Sequence, residues 1–232
     1  MSDQRSWVSP YNYVQNNPIT RIDPDGNFDV FINGDQADKA FTELQKSTSL
    51  TLSRDSKTGQ VSATGTANTD ADKALLAATT DSSIKVELHA TTSKKTSDGK
   101  AALADGAFMG NSTDMKTNVV TANQEVNPVA TEQIDNYYKK PGASVMHEVI
   151  EGYVGAQMTQ ISGVNSVPNG YSTQNGLTPS IANYSEVHEA ASKIAPQSGP
   201  TYEARQGNTV YYFVGDGKSP STTLIYNQRP IK

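Results

Sequence analysis

The 232-residue sequence contains no cysteine, and this absence excludes several kinds of chemistry at once. Without thiols the chain has no disulfide bond, no thiolate zinc site, no iron–sulfur cluster and no cysteine nucleophile. Histidine is scarce too, with three residues, so the position of each one matters for any catalytic or metal chemistry.

Basic residues and long apolar runs are also in short supply. Lysine and arginine number 19 against 24 aspartate and glutamate residues, which leaves a net charge of −5. An acidic balance disfavours binding through neutralised phosphates, so no nucleic-acid partner is predicted. No apolar run approaches the ~20 residues needed to span a bilayer, so no membrane span is predicted.

The beginning of the chain has a composition of its own. Residues 1–27 are rich in Asn, Pro and Tyr, show no helical or strand periodicity and run into the turn sequence DPDG at residues 23–26. The segment SPYNYVQNNPITRIDPDGN resembles the closing motif of the Rhs/YD-repeat core, after which such proteins switch to a variable C-terminal domain.

This resemblance implies a domain boundary and a cellular context. Residues 1–27 would end the core, and residues 28–232 would form the tip domain of a longer bacterial protein that is secreted or displayed at the cell surface. The resemblance further implies an upstream Rhs-repeat shell and an immunity protein as partners, with delivery to a target cell if the tip is a toxin.

Hydrophobic periodicity and capping signals predict the elements that follow this leader. Helices are predicted over residues 37–48 with Asp35 as the cap, from a capping box of Thr69 and Asp72 to residue 78, and over residues 130–138, 144–160 and 184–194. Strands are predicted over residues 28–32, 49–53, 60–66, 84–89, 115–122, 210–214 and 222–226, with long loops over 91–114 and 161–182. This order predicts a single α+β domain in which a mixed or antiparallel sheet carries helices on one face.

The helix predicted over residues 144–160 is the most informative segment of the sequence. It is apolar on nearly every side, which indicates a buried helix, yet it contains His147, Glu148 and Glu151. Burying unpaired charge is costly, so these side chains need partners, and a cation would satisfy them. His147 and Glu151 lie four residues apart on one helix face, whereas Glu148 lies ~100° around the helix, where it could reach a metal-bound water.

The pattern His147-Glu148-x-x-Glu151 resembles the HExxH motif of the zincin metallopeptidases, with Glu151 in place of the second histidine. The resemblance implies a zincin-like active-site helix, one Zn²⁺ ion, His147 and Glu151 as metal ligands, and Glu148 as general base. A carboxylate is an acceptable zinc ligand, but its charge makes zinc-bound water less acidic and so weakens catalysis.

A catalytic zinc site needs a third protein ligand. His188 on the helix predicted over residues 184–194 is the preferred candidate, with Glu186 and Glu189 on the same helix and His89 at a strand end as alternatives. Tyr184 is a candidate for assisting the oxyanion. An extended peptide could pair with the edge of the strand predicted over residues 84–89 or over 115–122.

These features predict a zinc-dependent metallopeptidase that hydrolyses a protein or peptide substrate, as a secreted toxin or effector tip. Two alternatives belong to other classes. One is a non-catalytic recognition or adhesion domain with a degenerate metal site. The other is a toxin of different chemistry, such as a nuclease with His147 as base, against which the acidic composition counts.

Overall fold

The computed structural model of the protein describes residues 30–99, 103–166, 184–207, 209–215 and 223–228. The described helices are α1 (Ala37–Lys46), α2 (Asp70–Ala78), α3 (Pro128–Tyr138), α4 (Ala143–Ser162) and α5 (Tyr184–Ile194). The described strands are β1 (Val30–Asn33), β2 (Thr51–Arg54), β3 (Gln60–Thr64), β4 (Ile84–Ala90), β5 (Gly106–Thr113), β6 (Val120–Val126), β7 (Thr201–Gln206), β8 (Thr209–Val214) and β9 (Thr223–Gln228). The predicted leader over residues 1–27 and most of the predicted loop over 161–182 lie outside the described residues.

Six strands form the main sheet in the order β2-β3-β1-β4-β6-β5. The β1/β4 and β4/β6 pairs are parallel and the other pairs are antiparallel, so the sheet is mixed. Side chains alternate along β4: Val86 and Leu88 are buried, whereas Glu87 and His89 lie on the other face. Because the buried side chains of α1, α2 and α4 join the same core cluster as these strand residues, the helices cover one face and the predicted α+β class is confirmed.

Helix α4 contributes many buried residues to this core and packs closely on the sheet at two glycines. A Cβ atom on Gly152 would lie 3.0 Å from Cγ1 of Val86, and one on Gly155 would lie 3.0 Å from the Phe108 ring. Larger residues at either position would push the helix away from β4 and β5. The two glycines therefore bring the ionisable residues of α4 against the sheet, where water is excluded.

The three remaining strands form a separate antiparallel sheet, β7-β8-β9. Tyr212 and Val214 of β8 pack with Ile134 and Tyr138 of α3. The hydroxyl of Tyr138 also donates a 2.6 Å hydrogen bond to the carbonyl of Pro200, which ties this sheet to the helical layer. Among the helices of the described segments, none combines the length and apolar character required to cross a bilayer.

The two predicted helix caps have different outcomes. The capping box of Thr69 and Asp72 is confirmed, because each side chain accepts a hydrogen bond from the backbone N–H of the other. The prediction for Asp35 is wrong: Gln36 occupies the N-cap of α1 without a side-chain bond. At this end of α1 the backbone N–H groups of Gln36 and Ala37 donate to the carbonyls of Ala90 and Gly34.

Two strands were not predicted, and one was misplaced. β5 lies inside the predicted loop over residues 91–114, and β7 was not recognised at all. The strand predicted over residues 115–122 begins later, at Val120, because residues 114–119 form a turn closed by the Asp114 N–H to Val119 carbonyl hydrogen bond. β5 contains Gly106, Gly110 and Asn111, which disfavour a strand locally, and its pairing with β6 outweighs that preference.

Candidate metal centre

Three of the predicted site residues converge on one point. His147 and Glu151 lie on one face of α4 and are almost fully buried, while His188 reaches them from α5 with 30% of its side chain exposed. Nδ1 of His188 lies 2.8 Å from Oε1 of Glu151 and 3.2 Å from Nε2 of His147. Nε2 of His147 lies 3.8 Å from the same Glu151 oxygen. These three side chains could hold a metal ion.

The spacing of the three atoms suits a tetrahedral ion. Two ligand atoms bound at ~2.0–2.1 Å to a tetrahedral zinc lie ~3.3 Å apart. The observed separations of 2.8, 3.2 and 3.8 Å fall on both sides of that value, so small side-chain movements would suffice for coordination.

The orientation of His147 is determined by a backbone carbonyl. Its Nδ1 atom lies 2.7 Å from the carbonyl oxygen of Ala195, just beyond the end of α5. A carbonyl oxygen only accepts, so Nδ1 of His147 carries a proton and Nε2 is the ring nitrogen that faces Glu151 and His188. A hydrogen bond of this kind to the non-ligating nitrogen is a regular feature of metal-binding histidines.

The charges in the cluster favour an ionised Glu151. Burial alone would raise the pKa of Glu151, but the contacts with His147 and His188 outweigh burial and the net shift is downward. The hydrogen bond to Glu151 raises the pKa of His188, although burial opposes that shift. Glu151 is therefore a carboxylate ready to bind a cation, and a metal ion would replace the proton of His188.

Glu148 lies beside this cluster and does not belong to it. Its carboxyl group packs on the backbone of Gly106 so closely that a Cβ there would lie 2.1 Å from Cδ of Glu148. Within the described residues its Oε2 atom is buried and has no hydrogen-bond partner. Burial raises the pKa of Glu148 well above its ordinary value, and the charges of Glu151 and Asp105 raise it further. Glu148 is thus an unsatisfied acid–base group next to the three candidate ligands.

Asp105 is a site residue that the sequence analysis missed. It directly precedes β5, and its backbone carbonyl accepts a 2.7 Å hydrogen bond from the N–H of Asn127. Burial raises the pKa of Asp105, and its charge in turn raises the pKa values of Glu148 and His188. A lone aspartate in a polar, glycine-containing segment carries no local signal, because only the pairing of β5 with β6 brings it to α4.

The other candidate ligands lie elsewhere. His89 is exposed on the face of β4 that points away from α4. Glu186 and Glu189 are exposed on α5, and Glu189 forms a 2.9 Å ion pair with Lys193. Among the described residues, the structure brings only His188 of these candidates to His147 and Glu151.

Tyr184 contacts the cluster through His188. The Tyr184 ring stacks on His188 with the ring centroids 5.4 Å apart, and its hydroxyl lies 3.5 Å from Nδ1 of His188.

The predicted peptide-pairing edges are wrong, because β4 lies between β1 and β6, and β6 lies between β4 and β5. Of the described strands on this side of the sheet, β5 forms the edge.

Comparisons with protein-family models, with curated proteins and with solved structures find no match to this chain. The likenesses to the Rhs/YD-repeat core and to the zincins therefore stay predictions from their motifs.

Proposed function

We propose that His147, Glu151 and His188 bind one Zn²⁺ ion and that the domain is a zinc-dependent peptidase. The observation that carries this proposal is the convergence of Nε2 of His147, Oε1 of Glu151 and Nδ1 of His188, with separations close to those around a tetrahedral ion. Two imidazoles and one carboxylate are ligands that zinc accepts, and three protein ligands leave a fourth position open.

A bound zinc ion would polarise the scissile carbonyl and lower the pKa of a coordinated water. Glu148 would act as the general base that accepts a proton from the attacking water and would return a proton to the leaving amine. Its buried position supports this role, because burial raises the pKa of Glu148 and makes it a stronger base than an exposed glutamate. Burial also raises the pKa of Tyr184, so its phenol stays protonated and can donate to the developing oxyanion.

The setting of this activity belongs to the same proposal. The motif over residues 9–27 supports a tip domain behind an Rhs-repeat shell, secreted or displayed by a bacterium and acting on a protein or peptide as a toxin or effector. An immunity protein would then protect the producing cell.

A recognition domain with a non-catalytic metal site is the second candidate, and the excess of carboxylates favours it. Glu148, Glu151 and Asp105 surround two imidazoles, and this negative charge lowers the acidity of a metal-bound water. Both candidates require the same three ligands, so metal binding alone does not separate them.

The first measurement is zinc binding by the purified chain, with single alanine substitutions of His147, Glu151 and His188. We expect one equivalent of zinc and at least a tenfold loss of affinity in each variant, because each substitution removes a ligand. His89→Ala is the matched control, since it removes the exposed histidine on the far face of the sheet and should retain wild-type affinity. Wild-type protein that binds no zinc would eliminate the metal site.

The second measurement compares proteolysis by the wild type and Glu148→Gln, both loaded with zinc. We expect the variant to bind zinc and to lose roughly 10²–10⁴-fold in peptidase rate, the usual contribution of a general base. Activity that persists in Glu148→Gln contradicts the mechanism. A wild type that binds zinc and cleaves no peptide favours the recognition domain.

A further inference from the structure

Gln124 is the one amide side chain on the buried face of β6, and it contacts the candidate ligand Glu151. Along this face of the strand its neighbours are Ala122 and Val126, both fully buried, and Gln124 itself is 1% exposed. A polar side chain in such surroundings destabilises the fold unless it is hydrogen-bonded. Its position therefore needs an explanation other than packing.

The two carboxylate oxygens of Glu151 have different partners. Nε2 of Gln124 donates to Oε2 of Glu151 over 3.2 Å. Oε1 of the same carboxylate faces the two histidines and lies 2.8 Å from Nδ1 of His188. One oxygen thus faces the candidate metal position, and the amide holds the other.

The amide can be oriented in one way only. If it were flipped, its oxygen would face a carboxylate oxygen, and two acceptors would repel each other. In the observed orientation Oε1 of Gln124 is buried and, within the part of the chain that the structure describes, has no hydrogen-bond partner. A leucine or methionine would avoid that cost, so the contact with Glu151 is the feature that an amide provides here and an apolar residue does not.

The close approach of α4 to the sheet makes this contact possible. Gly152 follows Glu151, and a Cβ on it would lie 3.2 Å from Cγ of Gln124 and 3.6 Å from Nε2. The helix therefore presses against β6 at this point, and the amide reaches the carboxylate without an intervening water.

We propose that Gln124 is a positioning residue that holds Oε2 of Glu151 so that this carboxylate binds the metal through Oε1 alone. Carboxylates bind metals through one oxygen or two, and binding through both would occupy the coordination position that a water needs. The hydrogen bond also withdraws some negative charge from Glu151, which partly offsets the presence of a carboxylate where the zincin motif has a histidine. This inference rests on the proposed zinc site.

The test uses zinc and cobalt(II) alone, with no substrate. Gln124→Met removes the amide at similar size, and Gln124→Glu keeps the shape but replaces the donor by a second carboxylate. We expect zinc affinity, measured by competition with a chromophoric chelator, to fall 10–100-fold in Gln124→Met and further in Gln124→Glu. The matched control is Gln157→Met, which removes an amide on α4 whose buried Nε2 has no hydrogen-bond partner among the described residues, and it should leave zinc affinity unchanged.

The cobalt-loaded protein reports the coordination number directly, since visible cobalt(II) absorption weakens as coordination rises above four. We expect a four-coordinate spectrum in the wild type and a weaker, higher-coordinate spectrum in Gln124→Met, in which both oxygens of Glu151 are free to bind. A higher-coordinate spectrum in the wild type by itself overturns the inference, because it shows that Glu151 or another group fills more than four positions. Wild-type affinity and spectrum in Gln124→Met overturn it as well, while a wild type that binds neither metal refutes the zinc site itself.

Discussion

At the scale of single residues, the burial of Glu148 favours its role as a general base but disfavours the stability of the folded protein. A general base works best with a raised pKa; burial against Gly106 raises the pKa of Glu148 and, within the described residues, leaves its Oε2 atom without a hydrogen-bond partner. The same burial makes the charged form of Glu148 costly in the folded protein. Removing the carboxyl should therefore affect stability as well as activity, and the effect on stability should depend on pH.

We predict that Glu148→Gln stabilises the metal-free protein relative to the wild type, and more at pH 8 than at pH 5. The folded-state pKa of Glu148 lies above its ordinary value of 4.5, so its favourable contribution is present below that value and is lost as pH rises through the folded pKa. The expected difference between the two pH values is on the order of 1–3 kcal/mol in the free energy of unfolding. Urea unfolding in the presence of a chelator measures this difference.

Glu189→Gln is the control for this measurement, because it removes an exposed carboxylate of α5. The same stability gain at pH 5 and pH 8 in Glu148→Gln would contradict a raised pKa for Glu148.

At the scale of elements, the helix ends show which local signals are reliable. The Thr69–Asp72 box combines two reciprocal hydrogen bonds, and Asp72 also accepts from the hydroxyl and backbone N–H of Ser49. Asp35 is a residue type that often caps helices, but Gln36 occupies the N-cap of α1, and the N–H groups of Gln36 and Ala37 donate to backbone carbonyls. A cap-forming residue at a helix start is thus a reliable signal when the residue three positions later can bond back to it.

We predict that Thr69→Ala lowers the free energy of unfolding by about 1 kcal/mol, since it removes the acceptor for the Asp72 N–H. Asp35→Ala is the matched comparison and should stay within about 0.5 kcal/mol of the wild type. Thermal and urea unfolding of the two variants measure both values. Equal losses in the two variants would contradict the capping assignments.

At the scale of the whole molecule, α5 is joined to α4 by the candidate site. His147 of α4 contacts both Nδ1 of His188 on α5 and the carbonyl of Ala195 just beyond α5, and Val187 and Ala191 of α5 are fully buried. A metal bound by His147, Glu151 and His188 would therefore hold two elements together that are separated by more than 20 residues of chain. Ligands that bind only the folded state stabilise it.

We predict that zinc at 100 times its dissociation constant stabilises the protein by about 2.7 kcal/mol and slows amide hydrogen exchange most strongly in α5. The hairpin of β2 and β3 serves as an internal control, because it lies at the opposite edge of the sheet from β5. Hydrogen exchange followed by mass spectrometry, with and without zinc, measures both regions. Unchanged exchange in α5 would contradict the role of His188 as a ligand.

The sequence by itself determined the features whose causes are local. The periodicity of α2, α4 and α5, the Thr69–Asp72 capping box, and the shared face of His147 and Glu151 all follow from residues within one or two helical turns. Because a catalytic zinc site needs three protein ligands, the sequence also predicted that a third ligand comes from elsewhere in the chain.

Only the tertiary structure decided the features whose partners lie far apart in sequence. His188 rather than His89 reaches Glu151 because α5 packs on α4, whereas β4 turns His89 to the opposite face of the sheet. Asp105 joins the site through the pairing of β5 with β6, whereas Gln124 joins it because α4 packs closely on β6, and no local pattern marks either residue. The physical reason is that burial and strand pairing can outweigh local preference, and both depend on contacts that a short window of sequence does not contain.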